Sequence, residues 1–298
     1  MRILVIKLGA LGDFVLAFGS FAAIRAQHPS ARITLLTTPP FAGLAAAAPW
    51  FDEVLTDDRP PWWNLPGLAR VRRRLRGFDF VYDLQTSSRS SHYFRLAGRP
   101  CWSGVARGAS HPHANPARDR MHTLERQREQ LEMAGVGAFP APDLSWLTRD
   151  PPSLPNRFAL LVPGAAPHRP AKRWPAARFG ELAARLAVRG LPSVIAGSGQ
   201  DAALADEICR AAPDATDLTG RTTLPQLAAT AARAAVAVGN DTGPMHLAAA
   251  VGAPCLVLFG PDSDPALTRP RGCVTVLQVP DLAALPVDRV AAALPPVH

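Results

Sequence analysis

The chain has no apolar run long enough to cross a membrane. Its longest candidate, residues 247–260, is broken by Gly252 and Pro254 and falls short of the roughly 18 residues a span requires. Residues 3–8 are too short for the apolar core of a secretory signal, and Lys7 and Asp13 interrupt what surrounds them, so none is expected. Cysteine is scarce. Cys101, Cys209, Cys255 and Cys273 are scattered without CxxC spacing, which predicts reduced core thiols in a cytosolic protein. The dinucleotide fingerprint G-x-G-x-x-G and the Walker lysine are both missing after the first strand-like segment, so neither of those phosphate-binding devices is expected there.

Lysine is nearly absent. Of the 32 Lys and Arg residues only Lys7 and Lys172 are lysines, and the formal net charge is +8. In a chain that takes its cations from arginine, a lysine marks a position suited to a compact ammonium rather than a planar fork. We read Lys7, inside the first strand, as a compositional survivor, and Lys172 as a residue with a task. The excess charge suits acidic partners such as nucleotide phosphates or an anionic glycolipid. No nucleic-acid recognition motif accompanies it, so nucleic acid is not an expected partner.

What the chain does have is apolar content, 48% over 298 residues, enough for two cores of about 150 residues each. Strand-like and helix-like patterns alternate throughout. In the first half, residues 2–7, 32–37 and 78–84 read as strands, and 14–27, 85–96 and 121–134 as helices. Residues 139–156, rich in proline, read as a linker. In the second half, 158–162, 193–196, 235–238, 255–259 and 274–277 read as strands. The helices there are 176–189, 201–211, 224–233, 243–251 and one near 282–294. This pattern predicts the α/β class: two Rossmann-like, doubly wound parallel-sheet domains, 1–150 and 151–298, facing across a cleft. The last helix is a candidate to pack back onto the first domain. Ligands in such folds sit beyond the carboxyl ends of strands, and the informative motifs fall at such ends.

The most informative motif is Asn240-Asp241-Thr242-Gly243-Pro244-Met245-His246, on a strand-to-helix turn. Asp241 can cap the helix, and Pro244 fits its first turn. The free N–H groups of Thr242 and Gly243, with the positive end of the helix dipole, make a place for a phosphate. His246, one turn in, would point to the same spot; the alternative is an ordinary capped helix with a buried histidine. Gly164 follows a strand, and Lys172-Arg173-Trp174-Pro175 precedes a helix, giving a basic rim in which Lys172 can balance a departing diphosphate. Gly197, in a lone Gly-Ser-Gly turn, is compatible with a nucleoside lying against it.

In Gly9-Ala10-Leu11-Gly12-Asp13 a tight turn sets one carboxylate at a helix start. Asp13 is either a helix N-cap or a general base for an attacking hydroxyl. Asp262-Ser263-Asp264 carries a D-x-D pattern, but prolines on both sides favour a rigid turn over a metal site. His111 and His113 lack partners at metal-ligand spacing and read as loop. No metal site is expected. Trp62 and Trp63 followed by Arg70, Arg72, Arg73, Arg74 and Arg76 suit docking on an anionic membrane surface or phosphorylated lipid. The alternative is a solvated helix face with core tryptophans.

Taken together these residues resemble the ADP-heptose:lipopolysaccharide heptosyltransferase family, inverting glycosyltransferases of the GT-B fold (glycosyltransferase family 9). The resemblance rests on residues 3–13, Lys172-Arg173-Trp174-Pro175, residues 218–224, residues 239–246 and Leu258-Phe259-Gly260-Pro261. It implies transfer of a heptose from an ADP-sugar donor to a hydroxyl of the lipopolysaccharide inner core, with no metal or other cofactor. The enzyme would be cytoplasmic, working peripherally at the inner face of the membrane on an anionic acceptor. The resemblance also implies that Asp13 is the base, with Gly12 at the same turn. Lys172 would lie near the donor's phosphates and sugar, and Asp241, Thr242, Gly243 and His246 would form the donor loop. Two departures stand out: Gly19 where the family often has proline, and the Asp-Ser-Asp turn where a shorter sequence is usual. A transferase with another nucleotide sugar or a protein acceptor remains an alternative. So does a silent sugar-nucleotide or glycolipid binder, although a pure binder has no use for Asp13 opposite a phosphate site.

Overall fold

The computed structural model describes residues 1–166 and 169–296. The chain divides into two compact units, Met1–Asp143 and Leu144–His298, so the division falls inside the proline-rich stretch.

The first unit contains β1 (Arg2–Ile6), α1 (Leu11–Val15), α2 (Phe18–Gln27), β2 (Arg32–Thr37), α3 (Pro39–Ala47) and β3 (Glu53–Thr56). It continues through α4 (Leu65–Arg74), β4 (Phe80–Asp83), α5 (Ser88–Leu96), β5 (Cys101–Gly104), β6 (His111–Pro112) and α6 (Thr123–Met133). Its strands pair in parallel in the order β3-β2-β1-β4-β5-β6. β1 and β2 are buried along almost their whole length, as strands covered on both faces must be, which is why β1 reads as an apolar run after Arg2 and β2 carries only threonines among its apolar residues once past Arg32.

The second unit contains β7 (Ala159–Val162), α7 (Ala176–Val188), β8 (Ser193–Ile195), α8 (Ala202–Ala211), β9 (Thr216–Asp217) and α9 (Leu224–Arg233). After these come β10 (Val236–Asn240), α10 (Gly243–Ala250), β11 (Cys255–Phe259), α11 (Pro265–Thr268), β12 (Val274–Gln278) and α12 (Val287–Ala292). The parallel order is β12-β11-β10-β7-β8-β9. Read from the other edge, it repeats the topology of the first unit. In each unit the strand order reverses beside the first strand, between β1 and β4 and between β7 and β10, where doubly wound folds bind ligands.

Several expectations are corrected. The single helix expected over 14–27 is two, because the chain tightens at Ala17, whose N–H bonds the Phe14 carbonyl three residues back at 3.1 Å. Phe14, Phe18 and Phe21 then converge as one aromatic cluster. The last helix is shorter than expected, with Pro286 at its N-cap. It packs on α7 of its own unit, where Val287 and Val290 join the core of Trp174, Phe179 and Leu182. Of the four free cysteines only Cys255 is buried, whereas Cys101 and Cys273 are exposed, each beside the start of a strand. Burial pushes the Cys255 thiol up to about 12. His111 is strand rather than loop, pairing with Ser103 at the sheet edge. Among the described residues no helix is long and apolar enough to cross a membrane.

Candidate active site

At the switch point of the first unit, the turn after β1 runs directly into α1. The N-cap is Ala10, and Asp13 lies in the first turn without making a side-chain cap. The capping alternative for Asp13 is therefore set aside. Its half-exposed carboxylate lines a cavity of about 740 Å³ together with Gly9, Phe41, Asp57, Arg59 and Gln85. Gly12 sits beside it as the second residue of α1.

Side chains from neighbouring loops fasten this turn. Leu8 donates its N–H to Gln85 Oε1 at 2.8 Å, and its carbonyl accepts from Thr38 Oγ1 at 3.0 Å and Arg59 Nη2 at 2.8 Å. Arg59 adopts a left-handed backbone, φ 52°, held by its N–H to Asp57 Oδ1 at 2.9 Å. Asp57 in turn accepts from the Tyr93 hydroxyl at 2.6 Å, and Arg89 donates to that hydroxyl at 3.1 Å. Burial, reinforced by Asp57, raises the Tyr93 phenol, so it remains a donor. The Arg59 guanidinium is thus fixed at the cavity, a residue that sequence reasoning missed. No signal in the sequence marked it, because the strand that delivers it, Glu53–Thr56, is itself short and only partly buried.

Lys7 was also underrated. It is buried at the end of β1, and its Nζ donates to the Leu84 carbonyl at 3.1 Å. Burial pulls the ammonium down to about 8, with Asp13 the strongest charge acting in the opposite sense. Asp83, at the end of β4, is pushed up to about 6 by burial, against hydrogen bonds from Thr86, Ser90 and Gln85. A buried ammonium and a buried carboxyl therefore underlie the turn that presents Asp13.

His113 belongs to another fixed network. It is buried, with Nε2 2.8 Å from Glu129 Oε2, and its Nδ1 accepts from Arg118 Nε at 3.2 Å. With Nδ1 taken up as the acceptor, Nε2–H is the donor to Glu129.

In the second unit the loops after β7, β10 and β11 interlock. Asn240, fully buried at the end of β10, accepts from Trp174 N–H at 3.0 Å and donates to the Pro163 carbonyl at 2.8 Å. It thereby ties the Gly164 turn to the Lys172 segment. Asp241 does not cap α10. The N-cap is Thr242, and the Asp241 carboxylate instead binds Lys172 Nζ at 2.7 Å, the side chains being 13% and 8% exposed. Ser263 Oγ donates to the same Asp241 oxygen at 2.6 Å. Gly243 opens α10, and His246, in the same helix, is buried. The first N–H groups of α10 and the Lys172 ammonium are thus carried by adjoining segments, a suitable pairing for phosphate charge.

Gly164 and Gly197 both make room for Asp201, since a Cβ at either would lie under 3.0 Å from its carboxyl group. Asp201 Oδ2 accepts from the N–H and hydroxyl of Ser198, each at 2.8 Å. Asp264 caps α11 through Ala266 N–H at 2.8 Å. Among the described residues, no three His, Cys, Asp or Glu side chains stand together in a metal-holding group.

On the surface of the first unit, Trp62 is 42% exposed, Trp63 83% and Leu65 73%, so these tryptophans are not core. Arg89 lies over the Trp62 ring, 4.8 Å from its centroid. Arg70, Arg72, Arg73 and Arg76 are exposed, while α4 buries Gly67 and Val71. Arg74 is corrected: it turns inward, half-buried, and donates to the Thr56 carbonyl. Residues 59–78 contain no Asp or Glu, so the charge this segment carries is all positive.

Solved structures share the arrangement over almost their whole length. The structure of E. coli ADP-heptose lps heptosyltransferase II aligns with TM-score 0.77 and 23% identity, covering 98% of this chain and 97% of that one. E. coli heptosyltransferase WaaC with ADP aligns with TM-score 0.81 and 23% identity, covering 98% of each. The fold is therefore the GT-B fold of glycosyltransferases. The family model for glycosyltransferase family 9 (heptosyltransferase) matches residues 68–278. Lipooligosaccharide heptosyltransferase 2 of Haemophilus influenzae is 38% identical over 91% of this chain and 86% of its own length. The chain belongs to glycosyltransferase family 9, and it is an enzyme of the heptosyltransferase type.

Proposed function

We propose that the enzyme transfers a heptose from ADP-heptose to a hydroxyl of the anionic lipopolysaccharide inner core, inverting the anomeric centre and using no metal. The observation that carries this reading is the Lys172–Asp241 pair at 2.7 Å, which sets an ammonium beside the start of α10. A nucleoside diphosphate needs such a cation and such N–H groups as its charge grows on departure. The names of the relatives, lipooligosaccharide heptosyltransferase 2 and ADP-heptose lps heptosyltransferase II, support the heptose, its ADP carrier and the acceptor class.

In this reading the acceptor hydroxyl attacks the anomeric carbon from the face opposite the diphosphate. The new C–O bond forms as the bond to the phosphate oxygen breaks, and the electron pair leaves with ADP. Asp13 takes the hydroxyl proton. A carboxylate is a weak base for a ground-state alcohol, so the proton moves late, once bond formation has made the hydroxyl acidic. Lys172 and the N–H groups of Thr242 and Gly243 meet the ADP charge, and Arg59 stands at the acceptor-side cavity as an anion partner. The Trp62, Trp63 and arginine face holds the enzyme peripherally on the cytoplasmic surface of the membrane, where an anionic acceptor lies.

Calorimetric titration with ADP in the presence of chelator, with UDP and GDP as controls, tests the donor and metal assignments together. Binding of ADP alone is expected. A preference for UDP, or a requirement for metal, overturns the ADP donor or the metal-free site respectively.

A further inference from the structure

Lys172 has to serve two anions. In the structure its ammonium is bound to Asp241 Oδ2 at 2.7 Å. The proposed function, on which this inference rests, requires the same ammonium to meet a diphosphate. Asp241 is 8% exposed, and a carboxylate so nearly buried is costly to leave without a partner, the more so with a phosphate drawing close. Something has to hold Asp241 when Lys172 turns to the donor.

The structure places a second donor on that oxygen. Ser263 Oγ lies 2.6 Å from Asp241 Oδ2, on the turn after β11 bounded by Pro261 and Pro265. The next residue, Asp264, is fastened as the N-cap of α11, which limits the freedom of the serine. The same turn is pressed against the Lys172 segment, since a Cβ on Gly260 would lie 2.7 Å from the Ala171 carbonyl oxygen. The two partners of Asp241 are thus carried on touching segments, and only one of them is charged.

We propose that Ser263 is a positioning residue for donor binding, acting through Asp241: its hydroxyl holds the carboxylate while Lys172 transfers its charge to the diphosphate. The serine itself touches no phosphate in this scheme. Its contribution is larger in the donor-bound state, where it is the remaining partner of Oδ2, than in the free state, where it shares that oxygen with the lysine.

The test measures ADP affinity by calorimetry, and kcat and KM with the sugar donor, for the full chain. Ser263→Ala is expected to weaken ADP binding roughly tenfold, the scale of one hydrogen bond to a charged group, and to raise donor KM while acceptor KM stays put. Ser263→Thr retains the hydroxyl and should restore affinity to near wild type. In a Lys172→Ala background, where no ammonium moves between anions, the effect of Ser263→Ala on ADP affinity should largely vanish. A purely structural role would persist there. Thermal melts check that each variant is folded. Wild-type affinity in Ser263→Ala, or an equal loss with and without Lys172, overturns the proposal. Should the wild type bind UDP instead of ADP, the donor assignment fails but the same four variants read the serine's role with UDP. If no nucleoside diphosphate binds, both readings fall.

Discussion

Lys172 and Asp241, 69 residues apart in sequence, meet at 2.7 Å where the loops after β7 and β10 adjoin. Both side chains are mostly removed from water, so deleting one leaves the other charge poorly compensated. We expect Lys172→Ala to weaken ADP binding to a still measurable level, to slow turnover, and also to lose stability. The double variant Lys172→Ala/Asp241→Ala should be more stable than the two single losses summed, with a coupling of about 1–3 kcal/mol. Urea denaturation of the four proteins measures it. Additive losses would mean the contact carries no interaction energy.

Asp13 behaves differently because its carboxylate lines the cavity and makes no cap. Asp13→Ala should leave the melting temperature nearly unchanged and retain ADP binding. Transfer should fall on the order of 10²–10⁴-fold, the scale of a lost general base. Release of ADP from the sugar donor in the presence of acceptor is the assay. Loss of ADP binding in this variant would assign the residue to the donor instead.

Lys7 makes stability depend on alkaline pH. Its folded-state value is about 8, against 10.5 for an unburied lysine. Between those values the unfolded chain holds a proton that the native chain has released, so stability rises with pH across the window. Below it the native state carries a buried ammonium at a cost. Lys7→Met should remove this dependence, a change of about 3 kcal/mol between pH 8 and 10.5 relative to wild type. Parallel pH profiles of unfolding free energy for the two proteins would contradict it.

The exposed Trp63 and the arginines of α4 carry the membrane reading. Vesicles containing anionic lipid should sediment the protein, neutral vesicles should not, and added salt should release it. Trp63→Ala and Arg72→Ala/Arg73→Ala should each reduce binding, by about 1 kcal/mol per arginine. They should leave ADP affinity untouched. Unchanged partition of both variants would remove this face from the account.

Much of the architecture was legible in the chain because it is written locally. The strand at Cys255–Phe259 is a continuous apolar run, that at Arg32–Thr37 is rich in β-branched and leucine residues, and α9 was read to its ends. That helix carries its own start signal, a Thr223–Gln226 capping box with Pro225 in the first turn. The edge strands Glu53–Thr56 and His111–Pro112 were missed. They are short, only partly buried and made by pairing with neighbours, so no apolar period announces them. The helix α4 was read only as an arginine cluster because its buried face is small, Gly67 and Val71.

The amino-acid sequence by itself determined two βα-repeating halves, the strand-end placement of Asp13, Lys172 and the Asp241 turn, and the family to which the chain belongs. The halves and the strand-end placements follow from residue periodicity and turn chemistry, and the family from the resemblance of its motifs, none of which needs a distant partner. Tertiary structure decided what the charged groups do. It turned Asp241 from a helix cap into the counter-ion of Lys172, added Ser263 to the same oxygen, and buried Lys7 under the Asp13 turn. It also brought Arg59 to the cavity from a loop 51 residues beyond Leu8. Local propensity cannot foresee such pairings, because hydrogen bonds and desolvation depend on which loops the parallel sheets bring side by side.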